Sequence, residues 1–580
     1  MARVAAFLET HRWAAVTIFL GAVLAVGLVA FKDYGIAWDE PVQRQYGRDV
    51  YQYITKGDQE LFLNRHRYYG PVFELLLYSL EKAFRLGDTR AIYMMRHLVN
   101  FLILWMGVVF FYLLCKRVFR SWRIGLLGSA FLVLSPRIFA HGFYNTKDIP
   151  FLSMFIMSVY TLLRYLDAKT LRRAAVHGAV CAVLVDTRIV GILLPALTAA
   201  FVGYEAIRGV VFAGGSGDES RGSAIKREGG TDVHRRAEVK RTARSFLGYA
   251  MVWAALTILL WPTLWRDPLR NFVRVFEGMS NFPWEASVLY LGKYVWATDL
   301  PWHYTPVWIA VSTPLAYVIL FAIGFFVCVK PLALRLAAAR QPPPGNTQKG
   351  DDSPLPRSGD GGSLQRDSLL ILSWFFLPLI YYVPSKAVLY DEWRHSFFVY
   401  PAFLMIALVG LMGVWNFIKM RFHGAGYRIA SACLVWLIAL NLGSTALFML
   451  RHHPFENVFF NTLIGGPKGA HGKLEMDYWG LSYRKGLEYI ARTNPKDRIP
   501  IFSATLPGRY NADILKAQDR KRLTFVTDMA EAAYYITNFR WEINRFPSES
   551  ELYSVDVGGA KIMAVYDLSI SAIHTGRLTQ

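Results

Sequence analysis

Uncharged apolar runs alternate with short polar segments along most of the chain, at 13–31, 97–115, 124–140, 150–166, 174–186, 190–206, 246–261, 306–329, 369–384, 397–416 and 429–450. A helix needs about 20 apolar residues to cross a bilayer core, so this pattern predicts about eleven membrane helices. The pair 174–186 and 190–206 is short and flanks Asp186, Thr187 and Arg188, which predicts a hairpin. A further stretch, 69–84, carries Glu74, Glu81 and Lys82 and is too polar to span; a helix lying in the interface plane is predicted there. After residue 450 the pattern changes to short alternating runs at 499–502, 523–526, 534–536 and 561–566, with a helical stretch at 483–492. That is the signature of a small α/β domain.

Charge placement orients these runs. The first follows Arg3, His11 and Arg12 and lacks a small-x-small cleavage site, so it reads as an uncleaved anchor with a cytoplasmic N-terminus. Segment 32–95 then forms the first extracytoplasmic loop. The basic cluster Lys116, Arg117, Arg120 and Arg123 falls inside, as does the cluster Lys419, Arg421 and Arg428. Two polar, Gly/Ser/Pro-bearing segments, 207–244 and 330–368, read as cytoplasmic linkers. An odd number of spans places the tail outside. The expected organisation is a transmembrane domain over 1–450 and an extracytoplasmic α/β domain over 451–580.

Composition agrees. The chain of 580 residues is 54% hydrophobic and 18% charged, which excludes an ordinary soluble enzyme. The net charge of +21 lies in short clusters between apolar runs, not on an aromatic-interleaved basic face, so it marks topology and excludes a nucleic-acid partner. Four cysteines, all in or beside apolar runs, provide neither a disulfide framework nor a zinc site.

The candidate chemistry lies in charged residues at the outer ends of separate runs: Asp39 and Glu40 in GIAWDEP, Arg96 and His97 opening the second run, Lys147 and Asp148 in HGFYNTKDIPF, and Asp391, Glu392, Arg394 and His395 in YDEWRHSFF. Each has an ordinary alternative. Asp39, Glu40 and Asp148 stand where helix caps stand, Arg96 is placed to snorkel, and YDEWRHS is composed like an interfacial anchor. Taken together, carboxylates and cations at one boundary suit a reaction in which a lipid-borne phosphate leaves and a hydroxyl attacks.

The order of GIAWDEP, HGFYNTKDIPF, TRIVG (187–191), LPWHYTPVW (300–308) and YDEWRHSFFVYPAF (390–403) resembles the bacterial branch of the protein O-mannosyltransferase family, which includes the aminoarabinose transferases of lipid A. The resemblance covers about 10–450, and HHPFENVFFNTLIGG and MDYWGLSYRKGLEYI resemble an extension within that branch. It implies a GT-C fold glycosyltransferase that moves a single sugar from a polyprenyl-phosphate carrier to a protein, lipid or glycan acceptor on the extracytoplasmic face, with inversion. Cofactors are none beyond the lipid-linked donor, with a divalent ion left open, and the expected location is the bacterial inner membrane. It also implies Asp39 as catalytic base with Glu40 beside it. Asp148 would bind or orient substrate. Arg96, Lys147 and Arg394 would hold the donor phosphate, with His97, His395 and Asp391 near them. The aminoarabinose transferases carry a Lys before the Pro of the flat helix; here Gly70 precedes Pro71, with Arg65 and Arg67 nearby. A transporter of lipid-linked sugar is the alternative, but it needs polar groups deep in several spans, and these runs are almost wholly apolar.

Overall fold

The computed structural model describes residues 9–211, 228–280, 284–339, 361–541 and 550–568. The centres of the two linkers, 212–227 and 340–360, lie outside the described residues. The longer helices are α1 (Arg12–Ala30), α2 (Glu40–Lys56), α3 (Val72–Ala83), α4 (Thr89–Val118), α5 (Trp122–Val133), α6 (Pro136–Tyr144), α7 (Asp148–Asp167), α8 (Leu171–Thr187), α9 (Leu193–Val211), α10 (Glu228–Leu260) and α11 (Pro268–Ser280). A hairpin of β1 (Ser287–Tyr290) and β2 (Lys293–Trp296) precedes α12 (Tyr304–Ser312), α13 (Leu315–Ala339), α14 (Gly361–Ser385), α15 (Tyr400–Arg421) and α16 (Gly424–His452). The tail adds α17 (Tyr483–Thr493) and strands β3 (Ile499–Ser503), β4 (Leu523–Phe525), β5 (Tyr534–Thr537), β6 (Glu551–Val557) and β7 (Ala560–Asp567).

Every predicted apolar run is helical, and the protein is an integral, multi-pass membrane protein. Among the described residues seven helices are long and apolar enough to span, or eight if α5 and α6 count as one span bent by 68°. The expected eleven runs are all present as helices, the shorter ones falling below that length and composition. Pro136 explains the α5/α6 break, because a proline ring cannot continue the preceding helix. Pro314 breaks the 306–329 run in the same way, separating α12 from α13. The carbonyls freed at that break are not left orphaned: the Asn461 amide donates to Ala310 O at 2.6 Å and to Thr313 O at 2.7 Å. The 69–84 stretch forms only the 12-residue α3.

Two compact units emerge, 1–43 with 81–149 and 283–580, and 44–80 with 150–282. In the first, α13 and α15 cross so closely that a Cβ on Gly324 would meet Ile406 O at 1.9 Å, and one on Gly410 would meet Leu320 O at 1.9 Å. Small residues at such a crossing let backbones approach where lipid gives no hydrophobic drive. The C-terminal sheet of the same unit runs β4-β3-β5-β7-β6, parallel at β3 with β4 and β5, antiparallel at β7 with β5 and β6. The four strands predicted from alternation are all there; β6 is additional. Helix α17 packs Leu487 and Ile490 onto Ile501, Ile562 and Val565 of this sheet, in a core that also takes in Tyr34, Phe143 and Trp479.

In the second unit, α8 and α10 pack closely, with Gly178 against Tyr249 O. Gly70 lies against the backbone of Asp186, where a Cβ would sit 1.1 Å from the carbonyl oxygen. This explains the departure noted at Gly70: a lysine side chain has no room there without moving the backbone.

Candidate functional site

Asp39 sits where the chain leaves α1 and enters α2. The loop before it is held by the tail. Trp38 N donates to Trp479 O at 3.2 Å, the Asn511 side chain bonds both the amide and the carbonyl of Ile36, and Arg484 donates to the Lys32 and Tyr34 carbonyls. Gly35 is required for this approach, since a Cβ would meet Asn511 Oδ1 at 2.3 Å. Glu40 Oε2 accepts the Ala37 amide at 2.9 Å, the reaching-back half of a capping box, and Glu40 faces His97 Nε2 at 3.1 Å, both side chains buried. Glu40 is thus engaged by the Ala37 amide and His97. The Asp39 carboxylate is left for other partners.

Those partners come from segments far apart in sequence. Lys147 Nζ lies 2.7 Å from Asp39 Oδ2 and Arg394 Nη1 lies 3.9 Å from the same oxygen. Arg394 also reaches Asp148 Oδ2 at 3.4 Å and Asp391 Oδ2 at 3.3 Å, and its guanidinium lies over the rings of Tyr390 and Trp479. Asn145 sets the start of α7: its Oδ1 accepts the Asp148 amide at 2.9 Å, while its Nδ2 donates to Asp148 Oδ2 at 2.8 Å. Asp391 has a second cation, Arg540 of the tail, at 2.5 Å. Three carboxylates (Asp39, Asp148, Asp391) thus meet three cations (Lys147, Arg394, Arg540), and the formal charges of these six groups balance. Among these acids only Asp39 keeps appreciable exposure, 29% of its side chain against 1% for Asp148 and 8% for Asp391. An incoming molecule can touch it.

A second buried network backs the first. Arg137 of α6 pairs with Glu392, and Glu392 also receives the Tyr478 hydroxyl at 2.9 Å and faces His141 Nε2 at 3.2 Å. Burial pushes the Glu392 carboxyl up, but Arg137 and His141 outweigh it and hold the group below the ordinary carboxylate range. Glu475, buried in the tail, goes the other way. Burial, opposed by Arg540 and reinforced by Asp391 and Glu392, raises its carboxyl to about 8.

Of the residues singled out by sequence, Asp39, Lys147, Asp148, Asp391 and Arg394 share this cluster. Glu40 and His97 form their own pair beside it. Arg96 is buried on α4 next to His97, and His395 lies edge-on against Tyr390. Sequence reading did not single out Arg137, His141, Asn145, Tyr478, Glu475 or Arg540. Asn145 alone carried a usable signal, N-x-x-D ahead of an apolar run. Among the described residues no three His, Cys, Asp or Glu side chains gather as a metal site requires.

A cavity of about 800 Å³ opens between α12, α13, α14 and α15, lined by apolar side chains including Ile309, Phe321, Phe375, Phe403 and Leu389, with Lys386 among them.

Residues 87–210 match the family model described as dolichyl-phosphate-mannose-protein mannosyltransferase. None of the curated proteins matches the chain. Among solved structures it is similar to ArnT from Cupriavidus metallidurans in the apo state, at 13% identity over 96% of this chain and 98% of that one, with a TM-score of 0.44. It is also similar to the same protein bound to undecaprenyl phosphate, at 13% identity over 96% and 98%, TM-score 0.42. The archaeal oligosaccharyltransferase AglB from Archaeoglobus fulgidus, in complex with an inhibitory peptide and a dolichol-phosphate, is similar at 9% identity over 92% of this chain and 70% of that one, TM-score 0.42.

Proposed function

We propose that this protein is a membrane glycosyltransferase of GT-C type that moves one sugar from a polyprenyl-phosphate carrier to an acceptor hydroxyl, with inversion. The observation that carries the reading is the Asp39 carboxylate shared between Lys147 at 2.7 Å and Arg394 at 3.9 Å. The family match over 87–210, which contains Arg96, His97, Lys147 and Asp148, supports it.

Lys147 and Arg394 are already paired with carboxylates, so a sugar phosphodiester must draw on cations in use. Lys147 and Arg394 turn toward the phosphate, and Asp39 gives up its contacts with them. The freed carboxylate takes the proton of the acceptor hydroxyl. The hydroxyl oxygen bonds to the anomeric carbon as the bond from that carbon to the phosphate oxygen breaks. Polyprenyl phosphate leaves with the electron pair, its charge met by Lys147 and Arg394. One displacement inverts the centre, and no second carboxylate nucleophile is needed. Asp148 holds Arg394 in place. The prenyl chain lies in the apolar cavity beside Leu389, where aromatic and aliphatic walls suit it.

The location follows as part of this proposal. Arg12 at the start of α1 and Lys116, Arg117, Arg120 and Arg123 at and beyond the end of α4 lie at the helix ends away from Asp39 and Arg96. By the positive-inside preference those ends are cytoplasmic, with the transfer site and the tail extracytoplasmic, in a bacterial inner membrane.

The test is transfer from polyprenyl-phosphate mannose and polyprenyl-phosphate aminoarabinose, radiolabelled in the prenyl chain, to added lipid A or a serine/threonine peptide as the hydroxyl acceptor by the protein in lipid nanodiscs, read as released polyprenyl phosphate. Asp39→Asn is expected to lower turnover by roughly 10²–10⁴-fold with abundance unchanged. Near-normal turnover by this variant would remove Asp39 from the mechanism.

A further inference from the structure

Strand β5 ends at Thr537, and the chain then turns through Phe539 and Trp541, both in the left-handed region at φ 58° and 62°. Neither is a residue that favours that region. The facing segment does the same: Asp391 and Glu392 stand at φ 55° and 61°. Such conformations persist only where their surroundings over-determine them, and they collect at functional sites. Between these two turns one ion pair forms. Arg540 Nη2 meets Asp391 Oδ1 at 2.5 Å, Arg540 Nη1 donates to Tyr478 O at 2.9 Å, and the guanidinium lies 5.2 Å from the Trp38 ring and 4.5 Å from the Trp541 ring. The next residue after Trp38 is the proposed base.

We infer that Arg540 is a positioning residue for the transfer reaction, through which the C-terminal α/β domain sets the geometry of Arg394 and Asp39. The inference deepens the proposed function and rests on it. The physical route is short. Asp391 has two carboxylate oxygens; Oδ1 is taken by Arg540 and Oδ2 by Arg394. Removing Arg540 frees Oδ1, and the fork of Arg394 then closes on both oxygens, since a bidentate pair is the stronger arrangement. That rotation draws Nη1 away from Asp148 and Asp39, which it now holds at 3.4 and 3.9 Å. Loss of the cation also leaves three carboxylates sharing Lys147 and Arg394, so both yield less readily to a phosphate. The packing over Trp38 supplies a second route to the same loop. A tail of this kind is thus part of the reacting assembly, not an appended module.

The experiment compares wild type, Arg540→Ala, Arg540→Lys, Asp391→Asn and the Arg540→Ala/Asp391→Asn double variant in nanodiscs, measuring kcat and KM for the polyprenyl-phosphate sugar alongside thermal unfolding. Arg540→Ala should lower kcat about 10–100-fold with KM for the donor raised less than about 5-fold, an order-of-magnitude expectation for misplaced catalytic groups. Arg540→Lys, which keeps charge but lacks the planar fork, should recover part of kcat. The double variant should be no worse than the poorer single one, because both act through one contact. Arg540→Ala within twofold of wild-type kcat overturns the inference, as do losses that combine in full. If Arg540→Ala fails to fold, the lysine and Asp391→Asn variants decide, and a kcat unchanged in both overturns it. Transfer by wild type with unaltered variants defeats this inference alone; no transfer by wild type defeats the proposed function and takes the inference with it.

Discussion

Helices α1 and α4 carry charge at both ends, and the two ends are built on opposite rules. At one end Asp39, Lys147, Asp148, Asp391, Arg394 and Arg540 are packed together with charges balanced, and the Arg394 side chain is only 1% exposed. At the other, Arg12, Lys116, Arg117, Arg120 and Arg123 surround a cavity of about 540 Å³ with Trp13 and Trp122, and Glu9 is the acid within it. There Arg123 lies 3.0 Å from Glu9 with half of its side chain exposed, and Lys116 lies over the Trp13 ring at 4.5 Å. Arg117, less exposed, pairs with Asp367 at 2.9 Å, while the exposed cations are screened by water and lipid headgroups and depend little on a matched acid. Buried ions must be matched, since removing them from water costs several kcal/mol each. A chain accepts that cost where the charges have a task, so the balanced end is where chemistry is expected and the unbalanced end is not.

Breaking the balanced end should have the largest effect. Arg394→Ala leaves Asp39, Asp148 and Asp391 without their common cation, which predicts a loss of about 3–5 kcal/mol in unfolding free energy, the usual cost of orphaning one side of a buried pair. Turnover should fall by at least about 10²-fold as a phosphate contact is lost. Denaturant unfolding in detergent together with the transfer assay checks both, and a stable, active Arg394→Ala protein would show that the cluster is ornamental.

A subtler break uses pH. The Glu475 carboxyl, raised to about 8 by burial against the pull of Arg540, is also faced by Asp391, Glu392, Tyr294 and Tyr304 and shares its small cavity with His471 and Lys561. Unfolded, it would titrate near 4.3. The native state therefore holds a proton that the unfolded state has lost between about 4.3 and 8, and stability falls as pH rises through that window. Glu475→Gln mimics the protonated form and should flatten this part of the curve. Unfolding temperatures of the two proteins from pH 5 to 9 decide the matter: parallel curves would mean that Glu475 titrates normally.

The smallest effect is expected at the basic end. Arg123→Ala removes an exposed pair with Glu9, and such pairs are worth about 0–1 kcal/mol. Unfolding should barely move and kcat should stay within twofold. A loss comparable to that of Arg394→Ala would erase the distinction between the two ends.

Much of this molecule was written in local pattern. Apolar runs made helices at the predicted places because a 20-residue stretch without charge has few other stable states in a bilayer. Prolines 136 and 314 explain, after the fact, where two runs break. The strands of the tail announced themselves by alternation, except β6, which begins Glu551-Leu-Tyr-Ser and alternates weakly. The motifs holding Asp39, Lys147, Asp148, Asp391 and Arg394 were visible because charge beside an apolar run is conspicuous.

What sequence alone determined is therefore the set of membrane helices, the small α/β tail and a short roster of boundary charges, since each of these follows from periodicity within about twenty residues. Tertiary structure alone decided who pairs with whom. Glu40 bonds back to the Ala37 amide and faces His97, while Asp39 faces Lys147 from 108 positions further on. Arg540, in a segment that gave no signal of its own, closes the cluster on Asp391. A buried charge must find its opposite through space, and the partner can lie anywhere along the chain that packing brings within reach.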